Sequence, residues 1–157
     1  GAQVVMTRAG DSDDDWGPCI DERGSIGNPD ETGPTADVRI SIHADGVVSS
    51  DARGFHVIRP GVLDGWTDDI SRPSRRLAIA CRDALVAGGF TAASYTGENG
   101  IDVRTDLGTL NHSDVPVVML ELGNMRNDDE AALMETDAGQ RRYARAISTG
   151  LQAWLTR

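Results

Sequence analysis

The chain contains no lysine: all fifteen of its basic residues are arginine, set against 25 acidic ones. That bias reads as the nucleotide composition of the coding sequence rather than selection for arginine chemistry. The net charge of -10 argues against sequence-independent nucleic-acid binding, which relies on basic surfaces. An acidic surface promotes solubility and repels other acidic surfaces. Long apolar runs are missing too. No stretch of about 18 apolar residues exists, so no transmembrane helix is written here and no membrane partner is expected. No charged, apolar, small-residue leader opens the chain, as expected if an export signal was removed or was never part of it. Cysteine is scarce, Cys19 and Cys81 only, and no Cys-x-x-Cys pair exists, which excludes a zinc ribbon or thioredoxin motif. One disulfide between the two would close a loop of about 60 residues, contributing about 4 kcal/mol in the chain-entropy model. It would also favour an oxidising compartment. Two free buried thiols are the competing reading, and spacing does not choose. Repeats, low-complexity tracts and domain linkers are absent as well. At 157 residues the chain is one domain, residues 1–157, able to bury roughly two-thirds of its unfolded surface.

What is present alternates between strand and helix patterns. Ala2 to Arg8, with Val4, Val5 and Met6, reads as a strand, followed by an acidic, flexible stretch from Asp11 to Trp16. Ile20 to Ile26 predicts a short helix stopped by Gly27-Asn28-Pro29, and Asp30 to Pro34 is a loop by composition. Val38 to His43 and Gly54 to Ile58 are the next strands. Pro73 near its start and Gly88-Gly89 at its end bracket a helix with Leu77, Cys81, Ala84 and Leu85 on one face. Thr91 to Asp114, rich in Gly, Asp and Thr, predicts an extended surface loop, a feature that is often functional at this length. Val115 to Leu122 is nearly continuous apolar sequence, as expected of a strand buried on both faces. A last helix from about Gly139 to Leu155 carries Tyr143, Ile147, Leu151 and Trp154 on one side. This order predicts an α/β fold of three layers, a mixed, mostly parallel sheet flanked by helices.

Two of these strands end on residues that carry chemistry. His43 closes Val38-Arg39-Ile40-Ser41-Ile42-His43, and Glu121 closes Val117-Val118-Met119-Leu120-Glu121. Carboxyl ends of parallel strands line the crevice where α/β folds bind ligands. A carboxylate there is costly unless paired or catalytic. Burial would raise its pKa toward that of a general base; the competing reading is a salt bridge to Arg126 or Arg104. His43 is equally readable as a hydrogen-bonded structural residue, with Asp45 orienting its ring or capping the turn. His56 reads as a packed or edge strand residue. His112, before the Glu121 strand, is a candidate for substrate contact or proton transfer. Asn124 and Asn127 read as turn-shaping. His and Glu together suggest metal-assisted hydrolysis, but a hydrolytic zinc usually takes three protein ligands, and no convincing second and third stand out.

Several motifs recur in a recognisable order: Thr7-Arg8, Glu22-Arg23 with Asn28 five residues on, Ala36-Asp37 leading to Ser41-Ile42-His43-Ala44, Gly54 opening a strand, and Pro116 through Glu121-Leu122-Gly123 with Asn127. In this the chain resembles the catalytic domain of zinc-dependent N-acetylmuramoyl-L-alanine amidases of the type 3 family. The Gly97 to Leu110 loop and the Cys19/Cys81 pair make it look closest to the secreted mycobacterial type. The resemblance runs over essentially the whole chain.

That resemblance implies a Zn2+-dependent peptidoglycan hydrolase, secreted to the cell wall or periplasm. It would cut the amide between the lactyl group of N-acetylmuramic acid and L-alanine of the stem peptide. His43 matches the last zinc-ligand histidine and Glu121 the catalytic glutamate. Arg23 and Asn28 match positions expected to hold the turn near the site. Arg104, Asp106 and Asn111 of the long loop are candidate contacts for the stem peptide's carboxylates, Arg104 being the best charge match. A solvated loop face is the equal alternative for each. His112 is a further candidate for substrate contact. Asp45 stands where the family motif more usually has Asn. The family's first strand, with its His-Gly-Gly motif, and the first helix, with a ligand Glu, would precede Gly1. The expected partners are therefore peptidoglycan or a muropeptide and an amino-terminal fragment of the same protein. The alternatives are a metal-poor fragment or relative that at most binds muropeptides, or a zinc peptidase of related layout.

Overall fold

The computed structural model describes residues 1–10, 12, 14 and 17–156; Asp11, Asp13, Asp15 and Trp16 of the acidic stretch lie outside the described residues. Its spine is β4 (Val117–Asn124), whose first four residues are fully buried. Such a run gains nothing from alternation because both faces are covered. β1 (Arg39–Asp45) pairs with it in parallel on one side, and β2 (His56–Pro60) antiparallel on the other. β3 (Ile101–Arg104) pairs in parallel with β2, giving the order β1-β4-β2-β3. Two of the three pairings are parallel, so the sheet is mixed and mostly parallel, as the patterns predict.

The pleat sorts side chains between two cores. On one face Val118, Leu120 and Val57 meet Leu77, Ala78, Cys81 and Leu85 of α2 (Ser71–Ala87) and Tyr143, Ala146 and Ile147 of α5 (Asp137–Leu155). Each large apolar side chain buried this way contributes about 2 kcal/mol relative to exposure. α2 ends as the sequence predicts, with Gly89 left-handed at φ 80° and the Phe90 amide donating back to the Leu85 carbonyl. On the other face Val117, Met119 and Ile58 pack with Ile70 and Leu110. There α1 (Ile20–Ser25) and α3 (Gly108–Asn111) lie against each other. Arg39 of β1 joins them, its guanidinium donating to the Gly24 and Thr109 carbonyls.

Two expectations about the elements need correction. Ala2 to Arg8 is not a strand: Val4, Val5 and Met6 are 72%, 56% and 75% exposed. Their composition suits a strand, but a strand exists only where another pairs with it. Thr91 to Asp114 is not a bare loop, since it contains β3 and α3. α4 (Asp128–Glu135), which the patterns did not suggest, precedes α5. The disulfide is also not formed: Cys19, at the amino-terminal cap of α1, is exposed and Cys81 is buried within the α2–α5 core, both as free thiols. Burial pushes the Cys81 thiol up to about 12, leaving it a small hydrophobe rather than a nucleophile.

Candidate active site

In the carboxyl half of β4 one row of residues crosses the sheet. His43 of β1 is opposite Glu121 of β4, and His56 of β2 is opposite Glu121 from the other side. Residues paired in register project to the same face, so two imidazoles flank one carboxyl. The β1–β4 register slips just beyond, between His43 and Asp45, which brings Asp45 opposite Asn124. Bulges of this kind re-aim side chains. Asp45 accepts a hydrogen bond from the Tyr95 hydroxyl at 3.0 Å, and the Tyr95 ring stands edge-on to His56 at 6.0 Å.

The electrostatics follow from this crowding. Burial, then the nearby Asp45 carboxylate, pushes Glu121 up to about 7. Its Oε2 is buried without a hydrogen-bond partner, and neither Arg126 nor Arg104 pairs with it among the described residues. Arg104 instead forks onto Asp106 with two 2.7 Å hydrogen bonds. Desolvation, then Arg23, lowers the His43 pKa; its Nε2 shares a 2.8 Å hydrogen bond with Ser41 Oγ. Burial lowers His56, with Asp45 and Asp102 opposing and Arg104 assisting. His56 is the residue that sequence reasoning placed outside the site. Alternation assigns it a face but not its neighbour across the ladder. Tyr95 gives no sequence signal at all.

The remaining candidates sit below and beside the row. The Asn28 side chain donates to the His112 carbonyl (2.8 Å) and to Asp114 Oδ2 (3.0 Å), and its Oδ1 accepts from the Asp114 amide. It thereby ties the turn after α1 to the approach of β4. Arg23 donates to the Pro18 carbonyl at 3.4 Å. The His112 ring stands edge-on to Trp66 at 5.2 Å, and Asn111 donates to the Thr105 carbonyl at 2.8 Å. Behind the row, Asn124 holds the Ser49 and Ala52 carbonyls, each at 2.9 Å. Glu130 of α4 accepts from the Gly54 and Asn124 amides, each at 2.8 Å.

With this geometry stands a match over residues 1–153 to the N-acetylmuramoyl-L-alanine amidase family. The chain belongs to that family. It is 37% identical over 155 residues to an N-acetylmuramoyl-L-alanine amidase of Mycobacterium tuberculosis, covering 99% of this chain and 61% of that protein. The solved amidase Ami1 of Mycobacterium smegmatis superposes with a TM-score of 0.85 at 36% identity, over 97% of this chain and 66% of that one. The apo form of Ami1 from Mycobacterium abscessus gives 0.84 at 38%, over 96% and 66%. The chain thus spans about three-fifths of the length of the curated relative that it matches. No helix among the described residues is long and apolar enough to cross a membrane.

The family is generally zinc-dependent, and the donors can be tested against that. A zinc site needs three or four N, O or S ligands. Among the described residues no three His, Cys, Asp or Glu side chains gather into a metal-holding group. His43 and Glu121 by themselves therefore do not fit a resident zinc.

Proposed function

We propose that this chain carries the general base of a peptidoglycan amidase, one that cleaves the bond between the lactyl group of N-acetylmuramic acid and L-alanine of the stem peptide. The observation that supports it most is Glu121: a half-buried carboxyl, pushed up to about 7, facing His43 across the β1–β4 ladder. A base poised near working pH is what proton transfer from water requires. The ionised Glu121 takes one proton from the attacking water as its oxygen bonds to the amide carbon. The same proton then passes to the departing nitrogen as the carbon–nitrogen bond breaks, leaving a lactyl carboxylic acid and the free amine of L-alanine.

His43 is assigned as one zinc donor, completed by donors outside the described residues, and a donor-bearing segment of the same protein is the partner this requires. Arg104, Asn111 and His112 are assigned to the stem-peptide wall, and Arg23 and Asn28 to its support. Arg104 already holds Asp106, so it fits a wall better than a carboxylate clamp. Since the polymer lies outside the cytoplasm, the site of action is the cell wall, and secretion is part of the proposal.

The test is incubation of the protein, with its donor-bearing segment supplied, with a muramoyl-peptide and zinc, read by mass spectrometry. Release of the intact stem peptide, lost by about a thousandfold in Glu121→Gln, is expected. Cleavage within the stem would make it a peptidase instead. Binding without cleavage would make the chain alone a metal-poor binding module.

A further inference from the structure

Two buried side-chain atoms in the row across the sheet have no hydrogen-bond partner among the described residues: His56 Nδ1 and Glu121 Oε2. They belong to residues directly opposite each other in the antiparallel β2–β4 pair. Side chains opposed in this way have Cβ atoms about 5 Å apart. A single bridging water spans such a gap. A buried polar atom left alone costs about 1–3 kcal/mol, and one water bonded to both removes the cost from both.

The surroundings fix the imidazole rather than leave it free. His56 is only 4% exposed, between Phe55 and Val57 of the core. Gly54, just before it, has φ +99°, and a Cβ there would come within 2.7–2.9 Å of the Ala92–Ala93 backbone. The Gly54 amide is held by Glu130, the Phe55 amide donates to the Thr91 carbonyl, and the Val57 amide to the Gly100 carbonyl. Tyr95 closes the ring's flank while its hydroxyl is anchored on Asp45. A neutral imidazole in this setting offers one N–H and one lone pair.

We infer that His56 is a positioning residue for Glu121, its ring N–H bonding Oε2 through one bridging water, so that Oε1 is the oxygen that takes the proton. This rests on the amidase reading for its catalytic consequence, but not for the hydrogen bond itself. A carboxyl flanked by nothing but apolar groups could rotate about its last torsion, which is broad and soft. A fixed partner removes that freedom and sets the distance to the reacting water.

Two measurements on the same protein separate the hydrogen bond from its consequence. In nitrogen-15 spectra of histidine-labelled protein, His56 should show one neutral tautomer. Its ring signals should shift in Glu121→Gln while those of His112 stay in place. Unshifted His56 signals would overturn the inference. In the hydrolysis assay, His56→Phe keeps the ring but not the nitrogen, and should lower kcat by about tenfold with KM unchanged. His56→Asn, which restores a nitrogen near the Nδ1 position, should recover most of that loss. Equal loss in both variants, or a change confined to KM, would overturn it. If His56→Phe does not fold, the Glu121→Gln spectrum decides alone. If the wild-type protein hydrolyses nothing, the amidase reading fails while the spectrum still decides the contact.

Discussion

Glu121 is the residue at which the proposed activity and stability pull apart. Its folded pKa of about 7 lies above the ordinary 4.5, so the folded state prefers the protonated carboxyl. The stability this contributes is complete below about pH 4.5 and is lost as pH rises through 7. Glu121→Gln removes the titration, so the variant should melt higher than wild type at pH 8 and nearly equally at pH 4 in calorimetry. The two imidazoles beside it differ in how far sequence reveals them. His43 closes a clean Val38-Ile40-Ile42 alternation, and Glu121 breaks an apolar run; both are local events. His56 stands within Phe55-His56-Val57-Ile58, where a polar residue on a pleated strand is ordinary, and only pairing with β4 gives it a role. Asp45 and Tyr95 meet across 50 residues of chain, which no local pattern encodes.

At the scale of elements, strong local signals held and pairing-dependent ones did not. α2 carries its own start and stop in Pro73 and Gly88-Gly89, and β4 its own burial. α4 was legible in principle. Asn127-Asp128-Asp129-Glu130 is an N-cap with acidic residues in the first turn, and Asn127 Oδ1 does accept from the Glu130 amide. β3 has a brief alternation, Ile101-Asp102-Val103-Arg104, hidden among turn residues such as Asn99, at φ 52°. The Val4 to Met6 run shows the converse, strand composition without a neighbour. The seam of α2 against α5 is close-packed. A Cβ on Gly150 would lie 2.9 Å from the Cys81 Cα and 3.0 Å from the Ala80 carbonyl oxygen. Gly150→Val should therefore force the helices apart and lower stability by about 1–3 kcal/mol, visible as an earlier midpoint in denaturant. A midpoint unchanged from wild type would mean that α5 slides without strain.

For the whole molecule, a net charge of -10 over 157 residues implies self-repulsion that salt relieves. Raising sodium chloride from about 0.02 to about 0.2 M should raise Tm, and a flat response would place the charges too far apart to matter. The strand order has a consequence for how the molecule breathes. β1 is an edge strand holding His43, whereas Glu121 and His56 ride on the two inner strands. Opening that begins at an edge would carry off His43 while leaving the other two facing each other. In native-state deuterium labelling the amides of β1 should exchange well before those of β4. Wear on this protein would then show first as the loss of one imidazole from the row, with the His56–Glu121 pair outlasting the fold's first failure.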